Sequence, residues 1–265
     1  MCIRRLLCVG LLGAGISPAV ALAQATGDQA RLVLGISVGA VAGRHLWSAG
    51  PQAVQFINPP DTFALTRRIR SNLVVSFGGT YFSSEKLGLA VEGFLLGLGL
   101  EDGCRQVFSS GSGDIAAVCR SIQGREKPAS AVMLSAGPVF RFNSRKLFSP
   151  YVRANLGFIL SNQSAIRTFG EFPTDSGPST VIVYSDNKNS RIDPSLALGA
   201  GFTAAVAKGY HLRWEIRDNI AGIQQVTGTT PIAGFVPPHK RAFKHLFSMT
   251  VGFDVILERR KGRRY

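Results

Sequence analysis

Along most of this chain apolar and polar residues alternate with a period of two. Eight segments carry the pattern or are long enough to: residues 31–43, 71–82, 87–100, 131–142, 151–161, 195–207, 210–222 and 242–257. A period of two marks a strand with two unlike faces, and none of the eight reads as well as an amphipathic helix. In 210–222, Tyr210, Leu212, Trp214, Ile216 and Ile220 fall on one side, and His211, Arg213, Glu215, Arg217 and Asn219 on the other. The last segment sets Phe243, Phe247, Met249, Val251, Phe253, Val255 and Leu257 against Lys244, Ser248, Thr250, Gly252 and Asp254. Segment 151–161 opposes Val152, Ala154, Leu156, Phe158 and Leu160 to Tyr151, Arg153, Asn155 and Gly157. In 87–100 Phe94, Leu96 and Leu98 share a face with Glu92, so the two sides of that segment stay unassigned.

The connections alternate in length. Long ones span 44–70, 101–130, 162–194 and 223–241; short ones span 83–86, 143–150 and 208–209. Long loops at one end and tight turns at the other describe an up-and-down meander with both of its ends on the tight-turn side. Each strand is long enough to cross a bilayer at a tilt, and closure removes the unpaired edges that lipid cannot tolerate. The expected fold is all-β, an eight-stranded antiparallel up-and-down transmembrane β-barrel whose interior is narrow enough to be filled by side chains. Small inward residues, Gly35, Gly39, Gly199 and Gly201, would make room for arginines and aromatics. Gly35, Gly39 and Gly43 also form a GxxxGxxxG, but between Arg31 and Arg44 the run is too short for a membrane helix, and residues four apart share a strand face.

At the start, Arg4 and Arg5 precede an apolar stretch and then Ala21-Leu22-Ala23, the layout of a secretory signal peptide cleaved after Ala23. An anchoring helix fits less well, because Gly13, Gly15 and Pro18 interrupt the stretch and it falls short of the ~20 residues a span needs. The expected organisation is a signal peptide at 1–23, a barrel domain at 24–257 and a basic tail at 258–265 on the periplasmic side. Removing the leader discards Cys2 and Cys8 and leaves Cys104 and Cys119, which should pair as a disulfide in an oxidising compartment.

Composition narrows the function. Of 265 residues 45% are apolar and 17% charged, against about a quarter charged in ordinary soluble domains. The net charge of +14 becomes +12 without Arg4 and Arg5; export and the dispersal of the basic residues argue against nucleic acid as the partner. Arg67, Arg68 and Arg70, just before the second strand, would sit at the outer rim, at the height of lipid phosphates. The inward charges are Glu92, Arg141, Arg153, Arg213, Glu215, Arg217, Lys244 and Asp254. In a narrow lumen such charges should pair and plug the barrel rather than hold a channel open. His45, His211, His239 and His245 show no ligand spacing, and no metal or cofactor is implied. His211 should face in and His245 out, and no hydrolytic triad assembles by spacing. The rival readings are a narrow pore for small solutes, a lipid-modifying hydrolase, and a soluble lipocalin-like barrel with its faces reversed.

From about residue 31 to 257 the chain resembles the small outer-membrane β-barrel proteins of Gram-negative bacteria, the eight-stranded OmpA/OmpX type. The most specific piece is 250–257, TVGFDVIL, in which Thr250, Gly252, Val255 and Leu257 match that family's assembly signal. Family members commonly stop at a terminal aromatic, whereas here a basic stretch, 258–264, precedes Tyr265; no peptidoglycan-binding domain is expected after it. The resemblance implies a bacterial outer-membrane location, contact with outer-membrane lipid and lipopolysaccharide, and recognition by the outer-membrane assembly machinery. It further implies a structural or surface-interaction role through the four long loops, where function would lie.

Overall fold

The structure, a computed structural model, describes residues 29–54, 61–109, 113–143, 146–162, 164–186, 191–231 and 233–260. The expected signal peptide lies outside them. The described elements are β1 (Gln29–Val41), β2 (His45–Val54), β3 (Asp61–Arg70), β4 (Asn72–Phe82), β5 (Leu87–Gly97), β6 (Gly99–Phe108), α1 (Gly113–Ile122) and β7 (Glu126–Lys127). They continue with β8 (Ser130–Arg141), β9 (Phe148–Ser161), β10 (Thr168–Thr174), β11 (Gly177–Tyr184), β12 (Arg191–Ala207), β13 (Tyr210–Val226) and β14 (His239–Arg260).

Eight strands close into a barrel in the order β1-β14-β13-β12-β9-β8-β5-β4, every neighbouring pair antiparallel. They are the eight segments that the alternation predicts. The turn between β12 and β13 is the tightest: Gly209 sits at φ +86, a left-handed backbone that glycine adopts without penalty. β1 pairs with β14 from Gln29↔Arg260 to Val41↔Ser248, so the first and last strands close the cylinder and begin and end at the tight-turn end.

The exterior of the cylinder is apolar. Ile36, Leu156, Ile216 and Met249 are each more than half exposed, while their neighbours Ser37, Asn155, Glu215 and Ser248 are buried inside. Phe158, Phe253 and Trp214 lie on the outer surface, and stacked pairs, Phe202 on Trp214 at 5.0 Å and Tyr210 on Phe253 at 5.5 Å, form an aromatic girdle near the tight turns. On β14 the outward residues run apolar from Leu257 to Phe247 before His245. At ~3.4 Å per residue and a tilt near 40° that stretch rises about 25 Å, the height of a lipid-facing belt. A continuous apolar surface of this size is stable against acyl chains and not against water, so the barrel is of the transmembrane kind.

The long connections differ from the expectation of loops. They fold into a cap: a four-stranded sheet β2-β3-β6-β7, the hairpin β10-β11, and α1 lying against β10. β13 and β14 also continue past the barrel, pairing up to Val226↔His239. The cap shares one apolar core with the upper lumen. Leu46, Phe63, Leu65, Ile69, Val118 and Ile122 from the cap and Phe94, Leu96, Met133, Ile159 and Leu246 from the barrel belong to a single buried cluster. This places the unassigned face of segment 87–100: Phe94 and Leu96 point inward beside Glu92, because at that height the lumen is lined for contact with the cap.

Candidate functional site

Six of the eight expected inward charges meet at the waist of the barrel. Glu92 on β5 accepts hydrogen bonds from Arg153, from Arg217 at 2.8 Å and from the Asn155 amide at 3.2 Å, and Arg213 stands 4.0 Å away. Glu215 accepts from the Tyr151 hydroxyl at 2.7 Å, and Arg153 and Arg217 approach it at 2.7 and 2.6 Å. Asp254 lies 3.4 Å from Arg213. Three guanidinium groups thus face three carboxylates, and the layer is neutral. All six side chains are nearly fully buried, the condition under which unpaired charge is most costly. The glycines expected to make room do so here. A Cβ on Gly35 would meet Asp254 Oδ1 at 2.2 Å and one on Gly199 would meet Glu215 Oε1 at 2.6 Å, while one on Gly201 would meet the Trp214 carbonyl at 2.1 Å as well as the Tyr151 hydroxyl at 2.9 Å. Gly39 instead lies against the backbone of β14.

The other two charges lie elsewhere. Arg141, near the tight turns, places its guanidinium carbon 3.4 Å from the Phe82 ring centre, below the network. Lys244 is half-buried in register with Ala221 at the far end, and among the described residues no ion pair joins it to the network. Beneath the charged layer a cavity of about 40 Å³ is lined in part by Arg141, Tyr151, His211 and Arg213. Above the layer Phe94 packs against Arg217, its ring centre 4.2 Å from the guanidinium carbon, and the apolar core begins.

The cap is pinned by buried polar contacts. Arg67 is completely buried, hydrogen-bonded to Asp102 at 2.5 and 2.8 Å, to the Arg167 carbonyl and to Thr168, with Trp47 beneath it. This corrects the expectation that Arg67 reaches lipid phosphates. Strand alternation turns Arg67 into the cap while Arg68 and Arg70 point out, where they pair with Glu101 at 2.5 Å and with Glu126. Lys127 lies 3.2 Å from Asp102; its burial, and then the charge of Arg67, outweigh that carboxylate and bring its ammonium down to about 8. The Trp47 indole donates to the Ala165 carbonyl at 2.8 Å, and the Gln52 amide pairs with the backbone of Thr230 in both directions. Cys104 on β6 and Cys119 on α1 form a disulfide, with Cα atoms 5.4 Å apart.

On the outer face β14 carries Thr250 and Gly252 inward and Leu257 outward, with Val255 half-buried on the outward side. His245 is exposed, its Nδ1 donating to the Asp218 carboxylate at 2.7 Å and its ring stacked against Phe247. Tyr151 and Asn155 were legible only as members of a polar face, and Asp102 and Lys127 not at all, because their strands fall inside stretches that read as loops.

These features define a closed eight-stranded transmembrane barrel with a charge-paired lumen and a folded cap, and that assignment rests on strand order, register and faces. Solved structures similar to this chain include Neisserial surface protein A, at 13% identity over 87% of this chain and 99% of that one, TM-score 0.41. Outer membrane protein AlkL in DMPC lipid bilayers matches at 15% identity over 90% and 94%, TM-score 0.40. Ail, the attachment invasion locus protein of Yersinia pestis, matches at 14% identity over 85% and 98%, TM-score 0.33. No protein-family model and no curated protein matches the sequence.

Proposed function

We propose that this protein is a non-conducting barrel of the bacterial outer membrane, a rigid stalk that displays a folded, disulfide-locked cap on the cell surface for interaction with other molecules. The observation that carries the reading is the neutral layer of Arg153, Arg213, Arg217, Glu92, Glu215 and Asp254 across the waist, roofed by an apolar core continuous with the cap. An ion entering that layer would exchange its hydration for sites already filled by fixed counter-charges, beneath a largely apolar roof. Outer-membrane lipid and lipopolysaccharide surround the belt in this reading, and Thr250, Gly252, Val255 and Leu257 present the last strand to the assembly machinery. No serine or threonine hydroxyl bonds to the exposed His245–Asp218 pair among the described residues, so the reading assigns no hydrolytic role to it.

The test combines fractionation with electrophysiology. The protein should partition with outer membranes, migrate differently on a gel before and after boiling, and leave planar bilayers electrically silent. Reproducible unitary currents would replace this reading with that of a narrow pore, and recovery in the soluble fraction would remove both.

A further inference from the structure

A cavity of about 800 Å³ opens between the barrel rim and the cap, and its lining includes Arg44, His45, Arg68, Arg70, Glu101 and Glu126. We infer that this cavity seats the phosphate of an anionic lipid from the leaflet on the cap side, with Arg44 as its principal ligand; the inference rests on the membrane reading above.

Height is the first argument. Phe247 is the last apolar residue of the belt on β14 before the His245–Asp218 pair, and Ala42, two residues before Arg44, donates its backbone N–H to the Phe247 carbonyl at 2.6 Å. The Arg44 guanidinium carbon lies 4.7 Å from the centre of the Phe247 ring, and His245 stacks against the same ring. The cation is therefore held at the boundary where acyl chains give way to headgroups.

Charge is the second. Arg68 and Arg70 already face Glu101 and Glu126, but no carboxylate pairs with Arg44 among the described residues. Three guanidinium groups against two carboxylates leave one net positive charge in a concave place at the rim. A guanidinium has five N–H donors in a planar fork suited to phosphate oxygens, and Arg68 and Arg70 keep donors to spare beyond their carboxylate bonds.

The union of the two selects a lipid over a free anion. Below Arg44 the outward surface is Val38, Phe247 and Met249, each well exposed. A phosphorylated lipid satisfies this belt with its acyl chains and Arg44 with its headgroup, whereas inorganic phosphate satisfies only the second and must shed its hydration to do so.

The experiment uses the full mature protein purified in a non-ionic detergent, with lipid A as the probe and bound lipid counted by native mass spectrometry. Arg44→Gln should weaken retention of lipid A about tenfold or more, the worth of one charge-assisted hydrogen bond. The double variant Arg68→Gln, Arg70→Gln should weaken it less, because those groups are already partnered. Arg31→Gln, which removes an arginine packed on Tyr81 at the tight-turn end, should change nothing. Dephosphorylated lipid A should bind the wild type no better than phosphorylated lipid A binds Arg44→Gln. Equal retention by Arg44→Gln and wild type, or equal binding of the dephosphorylated lipid, overturns the inference. Complete displacement by millimolar inorganic phosphate overturns it in favour of a soluble anion. Boiling-dependent gel migration of each variant reports the membrane barrel separately, so failure of this site and failure of the barrel reading give different results.

Discussion

Replacing Glu92 by Gln keeps the shape of the side chain and removes one charge from the neutral layer. Arg153 retains Glu215 at 2.7 Å, Arg217 retains Glu215 at 2.6 Å, and Arg213 retains Asp254 at 3.4 Å, so no arginine is stripped of every partner. The layer nevertheless holds three cations against two anions, one uncompensated charge in a closed lumen. Breaking a buried pair in this way costs about 3–5 kcal/mol. The charge-assisted bonds lost to Arg153 and Arg217, at about 1.5–3 kcal/mol each, give a similar total. The assay is urea unfolding of protein folded into lipid vesicles, followed by the gel shift between folded and unfolded forms. Glu92→Gln should lower the unfolding free energy by that amount. Adding Arg217→Met restores neutrality and supplies an apolar group beside Phe94, so the double variant should recover at least half of the loss, a coupling that independent sites would not show. If Glu92→Gln unfolds within ~0.5 kcal/mol of wild type, or if the two substitutions simply add, the charge-balance reasoning is wrong.

Reducing or deleting the Cys104–Cys119 bond, which closes a loop of sequence separation 15, should destabilise the cap by roughly 3 kcal/mol and leave the gel shift of the barrel intact; limited proteolysis reads the first and electrophoresis the second. Gly39→Ala should destabilise the barrel by about 1–3 kcal/mol, because a Cβ there lies 1.9 Å from the Met249 carbonyl and only a shift of the β14 backbone relieves it. Gly79→Ala, whose Cβ meets the Leu34 side chain at 3.1 Å and the Val33 carbonyl at an ordinary 3.8 Å, should be milder in the same unfolding assay. The Lys127 ammonium is held at about 8 against an ordinary 10.5, so between those values the folded cap binds fewer protons than the unfolded chain and its stability should rise with pH. Hydrogen exchange or proteolysis of the cap across that window measures the rise, and Lys127→Met should flatten it.

Much of the barrel was readable from the chain alone. Period-two alternation, together with segment length, located the eight barrel strands, the unequal gaps set their up-and-down order, and of the eight inward charges named from the chain six meet at the waist. These follow from local physics: a strand presents alternate residues to opposite sides, and a lipid-facing side must be apolar. The leftover cysteines were likewise enough to foresee the Cys104–Cys119 bond. Other features exist only in three dimensions. Arg67, Arg68 and Arg70 look alike in sequence, yet pairing of β3 between β2 and β6 buries the first against Asp102 and turns the other two to solvent. The face shared by Phe94, Leu96 and Glu92 turns inward because the upper lumen meets the core of the cap, a contact between strands far apart in the chain. Arg44 gains its place from Phe247 on β14, about two hundred residues away, and from rim residues on β3, β6 and β7. Alternation along one strand determines which side faces lipid; only closure of the sheet and docking of the cap decide which groups of the other side meet.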